Sequence, residues 1–477
     1  MSLSRLLRSS VLMGGAQVVT LATALVRSKL IAALTGPAGI GLMGVFNAFN
    51  SNLVNIAGWG VSTSVVRTVA GAAEAERGRK VAAAKKFGLW LSCSGVLLLL
   101  VSVLPVGYLT FTSQKYALEL FIAGLAVPCM IATSMWSALL QAGGHVRTMA
   151  STQAVASVVG LVVGLPFIYF FGSIGIAVSI LLVALVAALM TWRAASRHGP
   201  AAQDRHNQAD IAELVRFGLA LQVGNVIAAI AVYLFRVLIL RSHGSDLQAG
   251  LADAGFFQAA FIVASTMPGV IFSANSSDFY PRVAAAKDEA EARHITEKQI
   301  QASLLLGMPI LMGLMTMGSL AVRLLYAKGF EPAVPMLEWF IWGSFCNLLS
   351  WPLGFWVVAR RSKRMVVLFQ SLVGVGMVIL AFVLIPDNGA MGASIAQFGA
   401  GLLHAFTLLS MIRYFSGEWL SFRTVVSFAG CMIALLLGKF SMSMAPSVYW
   451  GIAPTLITAA ISAYIYFRVS SKDQSDA

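Results

Sequence analysis

"SSVLMGGAQVVTLATALVRSKLIAAL", residues 9–34, admits two readings. It is either the apolar core of a secretory leader or the first of a series of membrane-spanning helices. Leader cores run about 7–15 residues and end at a small-residue cleavage site. This run is longer, lacks a clear cleavage site and flows straight into a second apolar stretch over 38–66. A helix needs roughly 20 apolar residues to cross about 30 Å of hydrocarbon, so 9–34 reads as a first span.

The same pattern continues along the chain. Of 477 residues 58% are hydrophobic and 11% charged, with a mean hydropathy of +0.82, more apolar surface than a soluble domain can cover. Fourteen span-length runs follow one another, from 9–34 to 448–467, with gaps too short for a soluble domain. Outer-membrane strands would be short and alternating. The expectation is an all-α integral membrane protein with fourteen transmembrane helices. Cys93, Cys129, Cys346 and Cys431 fall singly in apolar runs, without disulfide or metal-site spacing.

The net charge of +14 could suggest nucleic acid, but its distribution argues for a membrane. With the N-terminus inside, 25 of the 33 Lys and Arg fall in inner segments, among them six from Arg67 to Lys86. Outer segments hold Lys115, Arg241, Lys328 and Lys439, and four cations lie within spans: Arg27, Lys29, Arg236 and Arg323. The positive-inside rule then places both termini on the cytoplasmic side.

The chain repeats itself. "RTVAGAAEAERG" (67–78) is similar to "RVAAAKDEAEAR" (282–293), offset by 215. "ELFIAG" (119–124) matches "EWFIWG" (338–343), and Arg147, Gln153, Gly172 and Gly175 map onto Arg364, Gln370, Gly389 and Gly392, offset by 217. Ordered matches of this kind indicate a duplicated six-helix unit. An even number of spans gives both copies the same topology, hence two parallel lobes around a central cavity, as in transporters. The expected organisation is a six-helix lobe over 1–212, a second over 213–415, and two further helices with a short cytoplasmic tail over 416–477.

In this overlay Arg27 of "ALVRSKLI" meets Arg236 of "YLFRVLIL". At 100° per residue, Thr20 shares the face of Arg27 with Gln17 at its edge, and Gln222, Asn225 and Tyr233 lie on or near the face of Arg236. Snorkelling explains Lys29. For Arg27 and Arg236 the polar stripes point to a hydrated cavity. Neither stripe carries an acid, so the partner expected is an anion, and a guanidinium fork suits phosphate. In "GVFNAFNSNLVNIAGWGVSTS" Asn47 and Asn55 recur at helical spacing, either bonding between helices or lining the cavity for sugar hydroxyls. Pro268 and Gly269 form a mid-span break, a hinge candidate. Glu119 and Glu338, each placed at the outer start of a helix, suit helix capping. With His404 and Asp278 they are the weak candidates for H+ or Na+ coupling, and no cofactor or metal site is expected.

"GPAGIGLMGVFNAF" (36–49), "GLADAGFFQAAF" (250–261) and "FYPRVAAA" (279–286) resemble the polysaccharide flippases, the O-antigen and enterobacterial common antigen translocases of the multidrug/oligosaccharidyl-lipid/polysaccharide exporter superfamily. That resemblance implies a V-shaped two-lobe fold and an undecaprenyl-pyrophosphate-linked glycan as substrate. The glycan would be flipped from the cytoplasmic to the periplasmic leaflet by alternating access, without catalysis. It also implies a cationic lumen, to which Arg27 and Arg236 correspond best, with Arg67 and Arg282 at inner helix ends making first contact with pyrophosphate. A polysaccharide polymerase, a chain-length regulator and membrane lipids are the partners it implies. Fourteen helices also suit the lipid II flippases. A multidrug or cation antiporter would place acids where this chain has arginines, and a membrane enzyme would need large loops that it lacks.

Overall fold

The structure, a computed structural model, describes residues 3–201, 208–444 and 452–462, without the side chains of 3–17, 217, 219–221, 223–224, 266–278, 281, 363 and 443–444. Every described element is a helix: α1 (Leu3–Ala57), α2 (Val61–Ala70), α3 (Glu74–Phe111), α4 (Ala117–Gly124), α5 (Ala126–Ala142), α6 (Val146–His198), α7 (Gln208–Ser242), α8 (Leu247–Ala285), α9 (Glu289–Leu325), α10 (Ala333–Arg360), α11 (Lys363–Ser416), α12 (Phe422–Met444) and α13 (Ile452–Ser462).

Ten described segments are long and apolar enough to cross a membrane. The three longest, Val18–Ala57 with 40 residues and two of 53, are about twice the roughly 20 that one passage needs, or more. Each of the three is interrupted at one glycine, Gly36, Gly172 or Gly389, and counts as two passes. α13 is the described part of the last expected span.

The interruptions are reversals. In α6 a Cβ on Gly164 would touch Ser179, and one on Gly160 would touch Val183, so the arms run antiparallel about Gly172. In α11 Gly399 meets Leu380 and Gly376 meets Leu403, again antiparallel, about Gly389. Gly172 (φ 54, ψ −119) and Gly389 (φ 52, ψ −133) share one conformation, closed to residues with a Cβ. Three residues later, a Cβ on Gly175 would strike the carbonyl of Phe167, and one on Gly392 that of Leu384. The offset of 217 read from the repeat therefore joins two turns of the same construction. For α1, Arg27 touches Ser179 and Gly39 lies over Ile176, so residues twelve apart reach neighbouring turns of α6, as a fold-back at Gly36 requires.

Packing divides the chain into two compact units, Met1–Gly255 and Phe256–Ala477. This division is a different quantity from the repeat, whose halves of 1–212 and 213–415 remain a reading of the sequence. In the first unit α7 lies against α1, α2 and α3. At its start Asp210 pairs with Arg79 (2.9 Å) and Glu213 with Lys80 (3.5 Å).

In the second unit α12 and α13 dock on α9. Gly438 abuts Met312 and Thr316, and Thr455 meets Thr316 at 3.1 Å. At the cation-rich end Arg361 pairs with Glu289 (2.9 Å) and stacks on Trp356 and Phe415. Burial pushes its guanidinium below the ordinary arginine range, with the Glu289 carboxylate opposing the shift.

Candidate functional site

The second passage, expected as one helix over 38–66, is broken. α1 ends at Ala57, α2 begins at Val61, Trp59 holds a left-handed φ of 41°, and Gly60 is left-handed (φ 62, ψ 31). A break inside hydrocarbon strands carbonyls, and such backbone persists only where protein or water satisfies it. Here α7 does so: Gln222 Nε2 donates to the Asn55 carbonyl (3.0 Å) and to Asn55 Oδ1 (2.9 Å). Gly218 lies so close to the Trp59 carbonyl that a Cβ there would overlap it. Asn52 donates to the Ala229 carbonyl (3.1 Å) one level up.

Gln222 and Asn55, expected as cavity lining, are thus joined to each other across two helices. Replacing Gln222 by Leu would leave both Asn55 oxygens without that donor, at a cost of about 1–3 kcal/mol. The expected result is a thermal midpoint in detergent several degrees lower, while Asn225→Leu, at an exposed position, leaves it unchanged.

These contacts fix a register in which α7 runs antiparallel to the second arm of α1. Asn55 meets Gln222, Asn52 meets Ala229, and Phe49 meets Tyr233 with ring centroids 6.5 Å apart. Arg236 accordingly falls abreast of Val45. Val45 lies nine residues after the Gly36 reversal and Arg27 nine before it, about 14 Å of helix rise each. The two arginines, in the same unit, therefore share one depth.

Arg27, partly exposed, donates from Nη2 to Ser179 Oγ (3.2 Å). Among the described residues no carboxylate lies within ion-pair distance of it. Arg236 is 4% exposed and donates from Nη1 to the Val232 carbonyl (3.0 Å). Beside it, the Tyr233 hydroxyl meets Thr110 Oγ1 at 2.7 Å, tying α7 to α3. Ser179 and Thr110 went unread in the sequence. A single hydroxyl in an apolar helix carries no signal until its neighbour is known.

The remaining positions are dispersed. Thr20 and Asn225 are exposed, Asn47 is half-buried, and Arg67 and Arg282 are exposed at helix ends. Gln17, Pro268, Gly269 and Asp278 lie outside the described side chains. Glu119 sits in the first turn of α4, as capping requires, and accepts from Ser173 (3.3 Å). Glu338 lies past the first turn of α10 and instead pairs with Lys439 of α12 (2.7 Å). His404 stacks on Phe369.

Residues 30–335 match the family of polysaccharide biosynthesis proteins. A Shigella flexneri protein named "Putative O-antigen transporter" is 24% identical over 387 residues, covering 78% of this chain and 89% of that one. The lipid III flippase of Escherichia coli K12 is 22% identical over 413 residues, covering 84% and 96%. Among solved structures, the lipid II flippase MurJ in an inward closed conformation superposes with a TM-score of 0.73. It is 13% identical, and the alignment covers 96% of this chain and 99% of that one. A transporter of the MOP superfamily from Pyrococcus furiosus gives 0.60 at 14% identity, covering 91% and 96%. The fold is that of these transporters.

Proposed function

The chain belongs to the polysaccharide biosynthesis protein family, and from that premise we propose that it flips a lipid-linked oligosaccharide across the bacterial inner membrane. The substrate in this reading is undecaprenyl pyrophosphate bearing an O-antigen, common-antigen or exopolysaccharide repeat unit, carried to the periplasmic leaflet by alternating access. One observation supports it above the rest: two span-embedded arginines at one depth, Arg27 meeting a hydroxyl and no carboxylate among the described residues. Burial makes a charge-assisted bond from guanidinium to phosphate strong, and the tail can remain in lipid while the head crosses.

Arg67 and Arg282 receive the pyrophosphate first, and Thr20, Asn47 and Asn225 meet sugar hydroxyls. In this reading H+, Na+ or the membrane potential drives the cycle, and a polymerase and chain-length regulator take the product. A cation antiporter is disfavoured because the charges embedded in spans are positive.

The test is complementation of a deletion strain at equal protein levels. Arg27→Ala and Arg236→Ala should each cut surface polysaccharide at least about tenfold, the loss of one charged hydrogen bond, with partial rescue by Arg27→Lys. Full restoration by both alanine variants would show that the arginines only snorkel. Intact glycans with new sensitivity to cationic drugs would establish the antiporter instead.

A further inference from the structure

α11 stops where Gly417 turns left-handed (φ 75), and α12 starts five residues later at Phe422. The junction is held rigidly from one side. The Ser421 amide donates to Glu297 Oε1 (3.0 Å), and Thr424 Oγ1 donates to Glu297 Oε2 (3.4 Å), with Glu297 buried in α9. Arg293 pairs with Glu418 and reaches the Trp419 carbonyl (3.4 Å). The other side projects three large aromatics, Tyr414 (81% exposed), Trp419 (58%) and Phe422 (84%). Two exposed arginines, Arg413 and Arg423, flank them in sequence.

Neither arginine has an ion-pair partner among the described residues. The Arg413 guanidinium lies 5.9 Å from the Trp419 ring, within cation–π reach. From Val425 to Leu437 the large exposed side chains of α12 are apolar, among them Val425, Val426, Ile433 and Leu437, as a lipid-facing stripe is. The aromatics thus stand where that stripe ends, at the headgroup level, with two uncompensated cations beside them.

We infer that this junction is a binding site for an anionic phospholipid of the leaflet at the protein's cation-rich end. Arg413 and Arg423 take the phosphodiester oxygens, and Tyr414, Trp419 and Phe422 hold the glycerol and the first methylenes of the acyl chains. The charge balance selects this occupant. Around the junction Glu289, Glu297 and Glu418 neutralise Arg293, Arg360 and Arg361, which leaves Arg413 and Arg423 for a phosphate. A zwitterionic headgroup would bring a competing ammonium.

The test uses the full-length protein in nanodiscs of equal phosphatidylethanolamine and phosphatidylglycerol, with retained lipids counted by native mass spectrometry. Wild type should retain phosphatidylglycerol preferentially. The pair Arg413→Gln with Arg423→Gln should lower that preference about thirtyfold, as expected for two cations at an anionic surface. The control pair Lys287→Gln with Lys298→Gln removes equal charge from exposed positions of the same unit and should leave the preference intact. Trp419→Ala, with both arginines kept, should weaken retention by a smaller factor. Equal losses in the arginine and lysine pairs would reduce the effect to a diffuse surface field and overturn the site. So would a preference that survives loss of both arginines.

Discussion

Gly175→Ala should leave little folded protein, and Gly392→Ala should do the same. In each case the new Cβ lands on a main-chain carbonyl oxygen, of Phe167 or of Leu384. Backbone cannot swing aside as a flexible side chain can. Relief requires the two antiparallel arms to separate, and with them the small-residue contacts at Gly164 and Gly160 in α6, or at Gly399 and Gly376 in α11. Overpacking typically costs about 1–3 kcal/mol, and more where, as here, the atom in the way is backbone. Gly354→Ala is the contrasting case: it sits within α10 and a Cβ there meets nothing within 4 Å. Alanine is favoured over glycine inside helices by about 1 kcal/mol, so that variant should be neutral or slightly more stable. Thermal unfolding in one detergent, together with the yield of monodisperse protein, separates the three. Normal stability of both Gly175→Ala and Gly392→Ala would refute the close approach at the two reversals.

The second large effect is expected where the motifs that carry the family resemblance meet. A Cβ on Gly41 would strike the carbonyl of Leu251, and one on Gly255 the carbonyl of Pro37. "GPAGIGLMG" and "GLADAG" are therefore the two sides of one helix crossing in which backbones touch without side chains between them, the role of small residues in membrane helix packing. Gly41→Ala and Gly255→Ala should each destabilise by about 1–3 kcal/mol or more. The double variant should cost clearly less than the sum, because once one Cβ has parted the helices the second finds room. Strict additivity would mean that the two glycines do not face each other.

Much of this architecture could be read from residue order. Apolar run length reveals spans because lipid forces each passage to satisfy its own backbone. The offset of 217 found the paired reversals because a backbone state closed to other residues leaves glycine at both places. Gly58-Trp59-Gly60, by contrast, sits in an apolar run, and glycine is common in membrane helices, so nothing in the order of residues separates a break from a continuous turn. Gln222 and Asn55 lie on polar stripes in the sequence, but a stripe does not say whether it faces water or another amide. Glu338 shows the same limit: its partner Lys439 lies 101 residues away, beyond any periodicity.

The donor that satisfies the broken second passage comes from 167 residues downstream. During synthesis at the membrane, the Asn55 carbonyl must therefore wait through four more passages before α7 brings Gln222. Until then the nascent first unit holds an unsatisfied peptide group in hydrocarbon, a several-kcal/mol burden. Emergence of α7 supplies the missing donor, so the packing around the break in the first unit closes only once α7 is in place.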